Sequence, residues 1–521
     1  MSDDQHAKDT GGPGEPKPHG PPGVPYRYAG TTPAGELAAA YAGRLADGEE
    51  SGDVVTVAGR LMLVRVQGKL AFATLRDWTG SVQLFALEAL TENFAEFKRL
   101  SLGDWVGATG PVVRTRRGEL SVKVSSWVLL AHARHGFGDK WRGITDPDVR
   151  FRQREVDLWA NEGVRDRFLM RSRVVAEIRR LLGARGYVEV ETPVLLPQAG
   201  GANAKPFITR FNSMRADFYL RIATELYLKR CVVGGFERVF ELGRIFRNEG
   251  FDAKHNPEFT MLEAYQAYAD YLDMAELVEY LVSGAALVAT GSTKLTFQGR
   301  ELDLTPPWRK ATLSEVIAEV TGVEVSLETP LGELQSAAAG LGVEVDPGDD
   351  VGQVLTAIYE KTTEPNLWGP VHVADYPQSV SPLTRKHRSK PGYVERITPI
   401  AAGREIAECY SELVDPDDQR ERFIAQVAER ERGDEEAMVM DDDFVRALER
   451  GMPPLGGIGL GIDRLVMLLA DVGHIREVLL FPALRPGAGR DAAEAEAGAG
   501  VDAADGAAGT ADEVAAEVGL S

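Results

Sequence analysis

Three short segments set far apart in the chain constrain its fold more than any other feature. The first, Gly186-Tyr-Val-Glu-Val-Glu-Thr-Pro193, closes a helical pattern running from Val164 to Arg185 and opens a strand that stops at the proline. Glycine suits a helix end, and proline cannot donate to a sheet ladder. In the second, an apolar strand (Val239–Leu242) leads to Phe246-Arg-Asn-Glu249, a loop, His255-Asn-Pro-Glu-Phe259 and a further strand, Phe259–Tyr265. That arrangement suits a nucleotide: a guanidinium grips a phosphate or carboxylate with two parallel hydrogen bonds, a glutamate accepts from an exocyclic amine, and a phenylalanine covers a base. The third, Gly457-Ile-Gly-Leu-Gly-Ile-Asp-Arg464, feeds the apolar helix Leu465–Ala470. Alternate glycines permit close approach to the backbone, and Arg464 stands at a helix start, where an anion is already favoured. Taken singly, the three read as a helix–strand junction, a solvated Arg–Glu pair and a glycine-rich strand under a helix. A dinucleotide-binding loop needs a different glycine spacing.

Upstream the hydrophobic period changes. After a helical stretch, Pro33–Leu45, five runs alternate with period two: Val54–Arg60, Leu70–Leu75, Ser81–Ala86, Trp105–Val113 and Leu120–Trp127, punctuated by Gly68, Gly80, Gly103 and Gly118. The pattern predicts a small antiparallel barrel, of the OB kind or another, and OB barrels present aromatic and polar side chains to unstacked bases. The predicted organisation is α+β: a disordered tail (1–26), a helical segment (27–51), the barrel (52–135), a polar linker (136–160), a large domain (161–486) with a mainly helical insertion at about 273–361, and a disordered acidic tail (487–521).

The formal charge of −21 argues against a nucleic-acid partner until its distribution is considered. Eight acids after residue 490 (Asp491, Glu494, Glu496, Asp502, Asp505, Asp512, Glu513 and Glu517) face only Arg490, which leaves room for a basic surface elsewhere. Cys231 and Cys409, the only cysteines, provide neither a disulfide framework nor a cysteine zinc site. No stretch has the apolar length a bilayer requires and the acidic start lacks a secretory core, so a cytoplasmic enzyme with no membrane partner is expected.

Together and in this order, the three segments resemble the signature motifs of the class II aminoacyl-tRNA synthetases, whose catalytic domain is an antiparallel sheet with helices. An N-terminal OB barrel points to the aspartyl, asparaginyl and lysyl subgroup. The lysyl family is the most similar, through Arg152-Gln-Arg, Ala204-Lys-Pro-Phe-Ile-Thr209, Glu225-Leu-Tyr-Leu-Lys-Arg230, Gly403-Arg-Glu-Ile406 and Tyr410-Ser-Glu412, over roughly residues 52–486. Physical chemistry points the same way, because a buried ammonium requires carboxylate partners, which Glu263, Tyr265 and Glu412 could supply as a cage.

The resemblance implies ATP-dependent activation of lysine to lysyl-adenylate and transfer to tRNA(Lys), with ATP as substrate, Mg²⁺ as cofactor and a homodimer formed through the segment around Pro193. It implies that Arg247 and Arg464 are catalytic. Arg247, Glu249, His255, Phe259, Glu405 and Arg464 would bind ATP; Gly201, Glu225, Arg247, Glu263, Tyr265, Tyr410 and Glu412 would bind lysine. Glu405 would hold the metal, and Phe72, Gln83 and Glu119 would read the anticodon, although Phe72 also suits a barrel core. The chain departs from the family at Thr398, where a second metal-binding acid is usual, and at Glu408 and Cys409, which are expected to add a negative charge to the pocket. Arg210, Phe211 and Thr224 also depart. These departures leave room for a retuned synthetase, a non-charging tRNA-binding paralogue, or a lysine-adenylating enzyme with another acceptor.

Overall fold

The computed structural model describes residues 24–134 and 144–485. They form two compact units that divide between Gly143 and Ile144. The expected N-terminal tail up to residue 23, the acidic tail 487–521, the last residue of the expected barrel and residues 136–143 of the expected linker lie outside the described residues.

The first unit contains six strands: β1 (Glu50–Gln67), β2 (Leu70–Arg76), β3 (Ser81–Leu87), β4 (Trp105–Arg114), β5 (Leu120–Val124) and β6 (Ser126–Ala131). They pair in the order β1-β2-β3-β5-β4-β6, and β1 pairs with β4 as well, which closes the barrel. Closure requires β1 to serve two neighbours: its residues up to Arg60 face β4, and those from Arg60 onward face β2. At the changeover stands Gly59, where a Cβ would lie 2.4 Å from the Arg76 carbonyl oxygen. The first expected strand therefore runs seven residues further than its alternation suggested. The run Leu120–Trp127 breaks at Ser125, whose amide and hydroxyl both donate to the Thr109 carbonyl, so two short strands follow β4 in place of one. Leu61, Leu75, Leu84 and Val122 fill the interior under the helix Ala34–Ala40, which is shorter than the expected Pro33–Leu45.

The strands of the second unit are β7 (Val188–Glu189), β8 (Leu195–Leu196), β9 (Ile208–Phe211), β10 (Ala216–Leu220), β11 (Arg238–Phe246), β12 (Glu258–Ala267), β13 (Lys294–Phe297), β14 (Arg300–Asp303), β15 (Arg309–Thr312), β16 (Val371–Pro377), β17 (Tyr393–Ile400), β18 (Ala407–Ser411) and β19 (Leu455–Gly461). Eight of them form one sheet in the order β15-β16-β17-β18-β19-β12-β11-β7. Its inner pairings are antiparallel, and the edge strands β7 and β15 join in parallel. Against one face, the helices Val164–Ala184 and Tyr271–Thr290 lay Val174, Ile178, Leu277 and Leu281, which pack with Phe240, Leu262 and Leu460 of the sheet. A reciprocal capping box between Asp270 and Asp273 starts the second of these helices.

Two expectations change. The stretch 273–361 is not a separate insertion: besides its helices it supplies β15, and Val316, Ile317 and Leu355 pack with Val371 and Val373 of β16. Residues 144–160 do not form a free linker either. They hold two short helices, Pro147–Arg152 and Arg154–Ala160, and Arg154 is wholly buried. Its guanidinium donates to the carbonyls of Arg476 (2.8 Å), Leu480 (2.9 Å) and Leu479 (3.2 Å) and pairs with Asp157, which Arg150 also holds. Replacing Arg154 with Leu strands those carbonyls and a buried carboxylate, and is expected to cost about 3–5 kcal/mol in denaturant unfolding. The exposed pair Arg99–Glu96 is the control, with Arg99→Leu costing under about 1 kcal/mol.

Candidate active site

The alternating glycines of β19 form a bare strip between two strands that carry large side chains. Ile458 and Leu460 point into the core, so Gly457, Gly459 and Gly461 take the opposite face. Across this strip Tyr265 of β12 and Tyr410 of β18 flank Gly457, while Glu263 and Glu408 flank Gly459. A Cβ on Gly457 would lie 2.0 Å from Glu412 Oε1 and 2.6 Å from the Tyr265 ring. Glycine is thus required there by what crosses over it. Above the strip opens a cavity of about 620 Å³, lined by every residue expected to bind ATP or lysine. Arg247 and Arg464 face this same cavity.

At one end stand the arginines. Arg247 follows directly on β11, its amide donating to the Pro257 carbonyl at 2.9 Å, and its guanidinium stacks 5.3 Å from the centre of the Phe259 ring. Burial opposes its charge, with Glu249 and Glu263 acting the other way. Arg464 sits in the first turn of the helix Ile462–Leu469 and donates to Glu405 Oε1 at 3.0 Å. Its other terminal nitrogen lies 3.1 Å from His255 Nε2, and the far ring nitrogen of that histidine lies 2.8 Å from Asp252. Although burial opposes it, hydrogen bonds from His255 and two amides hold the Asp252 carboxyl down at about 2. Glu249 is exposed at the cavity mouth. Asp463, not anticipated from sequence, accepts from the Thr260 amide at 2.6 Å and pairs with Arg171 at 2.5 Å, tying the start of the Arg464 helix to β12.

At the other end three carboxylates are buried together: Glu225, Glu263 and Glu412 are 7%, 4% and 1% exposed. Glu263 accepts from the Thr224 amide at 2.9 Å and from the Tyr265 hydroxyl at 3.2 Å. Burial and the nearby Glu225 push its carboxyl up to about 7; burial lifts Glu412 to about 8 against the pull of Lys229. Lys229 is fully buried, and its ammonium lies 2.5 Å from both Glu225 and Glu412. Gly201, with φ of +88°, closes this end, where a Cβ would meet that of Ala223 at 3.2 Å.

Residues 146–485 match the family described as tRNA synthetases class II (D, K and N), and residues 55–130 match the OB-fold nucleic acid binding domain. A lysine–tRNA ligase of Prochlorococcus marinus (strain MIT 9313) is 52% identical over 455 residues, covering 85% of this chain and 89% of that protein. One from Synechococcus sp. (strain CC9902) is 51% identical over 459 residues (86% and 91%), and one from Moorella thermoacetica is 49% identical over 440 residues (84% and 90%). The chain belongs to the lysine–tRNA ligase family.

Against that family pattern, the departures around Thr398 have a local explanation. Thr398 is buried and donates to Glu408 Oε2 at 3.0 Å from the adjoining strand, and Arg396 holds both oxygens of Glu408, through Nε at 2.8 Å and through a terminal nitrogen. The negative charge expected to be surplus in the pocket is therefore already paired. Cys409 points the other way, into the core. Among the described residues no three acidic, histidine or cysteine side chains cluster closely enough to hold a metal by themselves. Mg²⁺ commonly takes only one or two carboxylates and completes its shell with water and substrate phosphates, and Glu405 on the cavity wall suits that mode.

In the barrel, Phe72 lies outside the core, on the outward face, stacked on Phe85 at 5.0 Å and 11°. Gln83 stands on the same face of β3 as Phe85 and accepts from Ser121, whose hydroxyl also reaches the backbone carbonyl of the exposed Glu119. Phe85 was not singled out from sequence; its period-two partnership with Gln83 was the available signal.

Glu408→Gln leaves Arg396 without its anion and is expected to cost on the order of 3 kcal/mol, the low end for breaking a buried pair. Adding Thr398→Glu returns a carboxylate to Arg396 from two positions along its own strand, on the same face, and the double variant should recover most of the loss in a thermal melt.

Proposed function

We propose that this chain activates lysine with ATP and passes it to tRNA(Lys), the reading carried by one observation: two arginines distant in sequence and three buried carboxylates share a single cavity. The carboxylate of lysine attacks the α-phosphate of ATP and pyrophosphate leaves; a terminal ribose hydroxyl of the tRNA then attacks the acyl carbon, forming the ester as AMP leaves. No protein nucleophile is needed. Arg247 orients the attacking carboxylate and the α-phosphate, with Phe259 beneath the adenine and Glu249 at its amine. Arg464 and His255 take the distal phosphates, and orientation with preset charge supplies the rate. Glu405 would hold Mg²⁺, which neutralises phosphate charge when bound. Glu225 and Gly201 receive the α-ammonium; Glu412, Tyr265, Glu263 and Tyr410 enclose the ε-ammonium.

On the barrel, the Phe72–Phe85 stack with Gln83 and Glu119 suits unstacked anticodon bases. Exposed Val188, Val194 and Leu195 beside Pro193 fit the homodimer expected there. No helix among the described residues is long and apolar enough to cross a membrane, and we assign the enzyme to the cytoplasm by its family.

Lysine-dependent pyrophosphate exchange, followed by charging of tRNA(Lys), tests the reading. Arg247→Ala is expected to lower kcat/KM of exchange by about 10²–10³-fold, as for removal of a preset charge donor; wild-type protein inert towards lysine would end the proposal. The lysine KM has a predicted pH dependence. Glu263 and Glu412 bind ammonium only when ionised, and they face Lys229, Glu225, Tyr265 and Arg247. The lysine KM should therefore fall as pH rises through about 7 and 8, measured at saturating ATP. A KM that climbs over the same interval would remove these carboxylates from the lysine site.

A further inference from the structure

The cavity wall contains a cation of its own. Lys229 projects from the helix Glu225–Val233, is wholly buried, and does not line the cavity; its ammonium stands behind the wall between Glu225 and Glu412. Each carboxylate gives it one oxygen, Oε1 of Glu225 and Oε2 of Glu412. The other oxygen of Glu412 lies over Gly457, inside the cavity, where only a residue without Cβ leaves room for it.

From this geometry we infer that Lys229 is a positioning and specificity-determining residue: it aims one oxygen of Glu225 and of Glu412 into the cavity and sets the charge that an incoming amino acid must balance. The inference rests on the lysine pocket proposed above. Of the three buried carboxylates, Lys229 meets Glu225 and Glu412 and Arg247 is near Glu263, so with all three ionised one negative charge is left over. Uncompensated like charges at such depth cannot persist, since each would take up a proton instead. A ligand with two ammonium groups and one carboxylate carries the single positive charge that closes the balance. Neutral amino acids leave the deficit, and removal of Lys229 doubles it. Because Glu225 and Lys229 are four residues apart on one helix, the ammonium and the carboxylate it steers move as one rigid piece, while Glu412 arrives from just past the end of β18.

Lys229→Met and Lys229→Arg, assayed in full-length protein by lysine-dependent pyrophosphate exchange, test this. In Lys229→Met the two carboxylates lose their cation and protonate more readily. The lysine KM at neutral pH should rise about tenfold or more, as for stripping a partner from a buried charge. Its fall with pH should move to higher pH, and the ATP KM should stay within about twofold because Arg464 and His255 are untouched. Lys229→Arg keeps the charge but displaces it, so the pH profile should stay in place while the lysine KM rises severalfold. Equal losses for lysine and ATP, or an unmoved pH profile in a folded Lys229→Met, would reduce Lys229 to a structural ion pair and overturn the inference. If Lys229→Met does not fold, as judged by its thermal melt, Lys229→Arg decides: an unchanged lysine KM rejects the inference. Wild-type protein that ignores lysine fails the functional proposal itself, an outcome separate from wild-type exchange with indifferent variants.

Discussion

The pairing of β19 with β12 on one side and β18 on the other is the constraint on which the site depends. At Gly457 a Cβ would strike Glu412 Oε1 and the Tyr265 ring, so only glycine fits beneath them, and Gly459 lies between Glu263 and Glu408, while Ile458 and Leu460 keep the strand anchored in the core below. The same strand ends at the helix bearing Arg464, so the amine end and the phosphate end of the cavity are set by one element. Asp463 locks that end in place through the Thr260 amide and Arg171.

Electrostatics then does what packing cannot. Buried acids are tolerated in this unit because each group of them meets a cation: Lys229 serves Glu225 and Glu412, Arg396 serves Glu408, and Arg154 with Arg150 serves Asp157. Glu263 is held by neutral donors instead; burial and the neighbouring Glu225 raise its pKa to about 7, while those donors lower it. One end of the cavity thus gathers buried carboxylates and the other gathers arginines.

The parts of the site that were legible in sequence are those whose chemistry is carried by local order. Phe246-Arg-Asn-Glu249 after a strand and the glycine alternation before Arg464 could be recognised because a strand, a loop and a helix start are short-range features. Lys229 lay in plain view within Glu225-Leu-Tyr-Leu-Lys-Arg230, but a Glu and a Lys four residues apart look the same on a solvated helix as in a buried wall. Glu408 looked like a surplus charge because its partner Arg396 reaches it only across the β17–β18 pairing, which backbone order alone does not reveal. The break at Ser125 and the burial of Arg154 share that cause: each involves a partner more than ten residues away.

By itself the sequence determined the two-unit plan, the period-two barrel, the order of the three segments and the residue types able to handle phosphate and amine, since these follow from backbone preference and hydrophobic period. Only tertiary structure decided which charges are cancelled and that Arg247 and Arg464 line one cavity. Charge at depth is settled by the nearest counter-ion and by loss of water, and both are properties of the folded neighbourhood rather than of any stretch of chain.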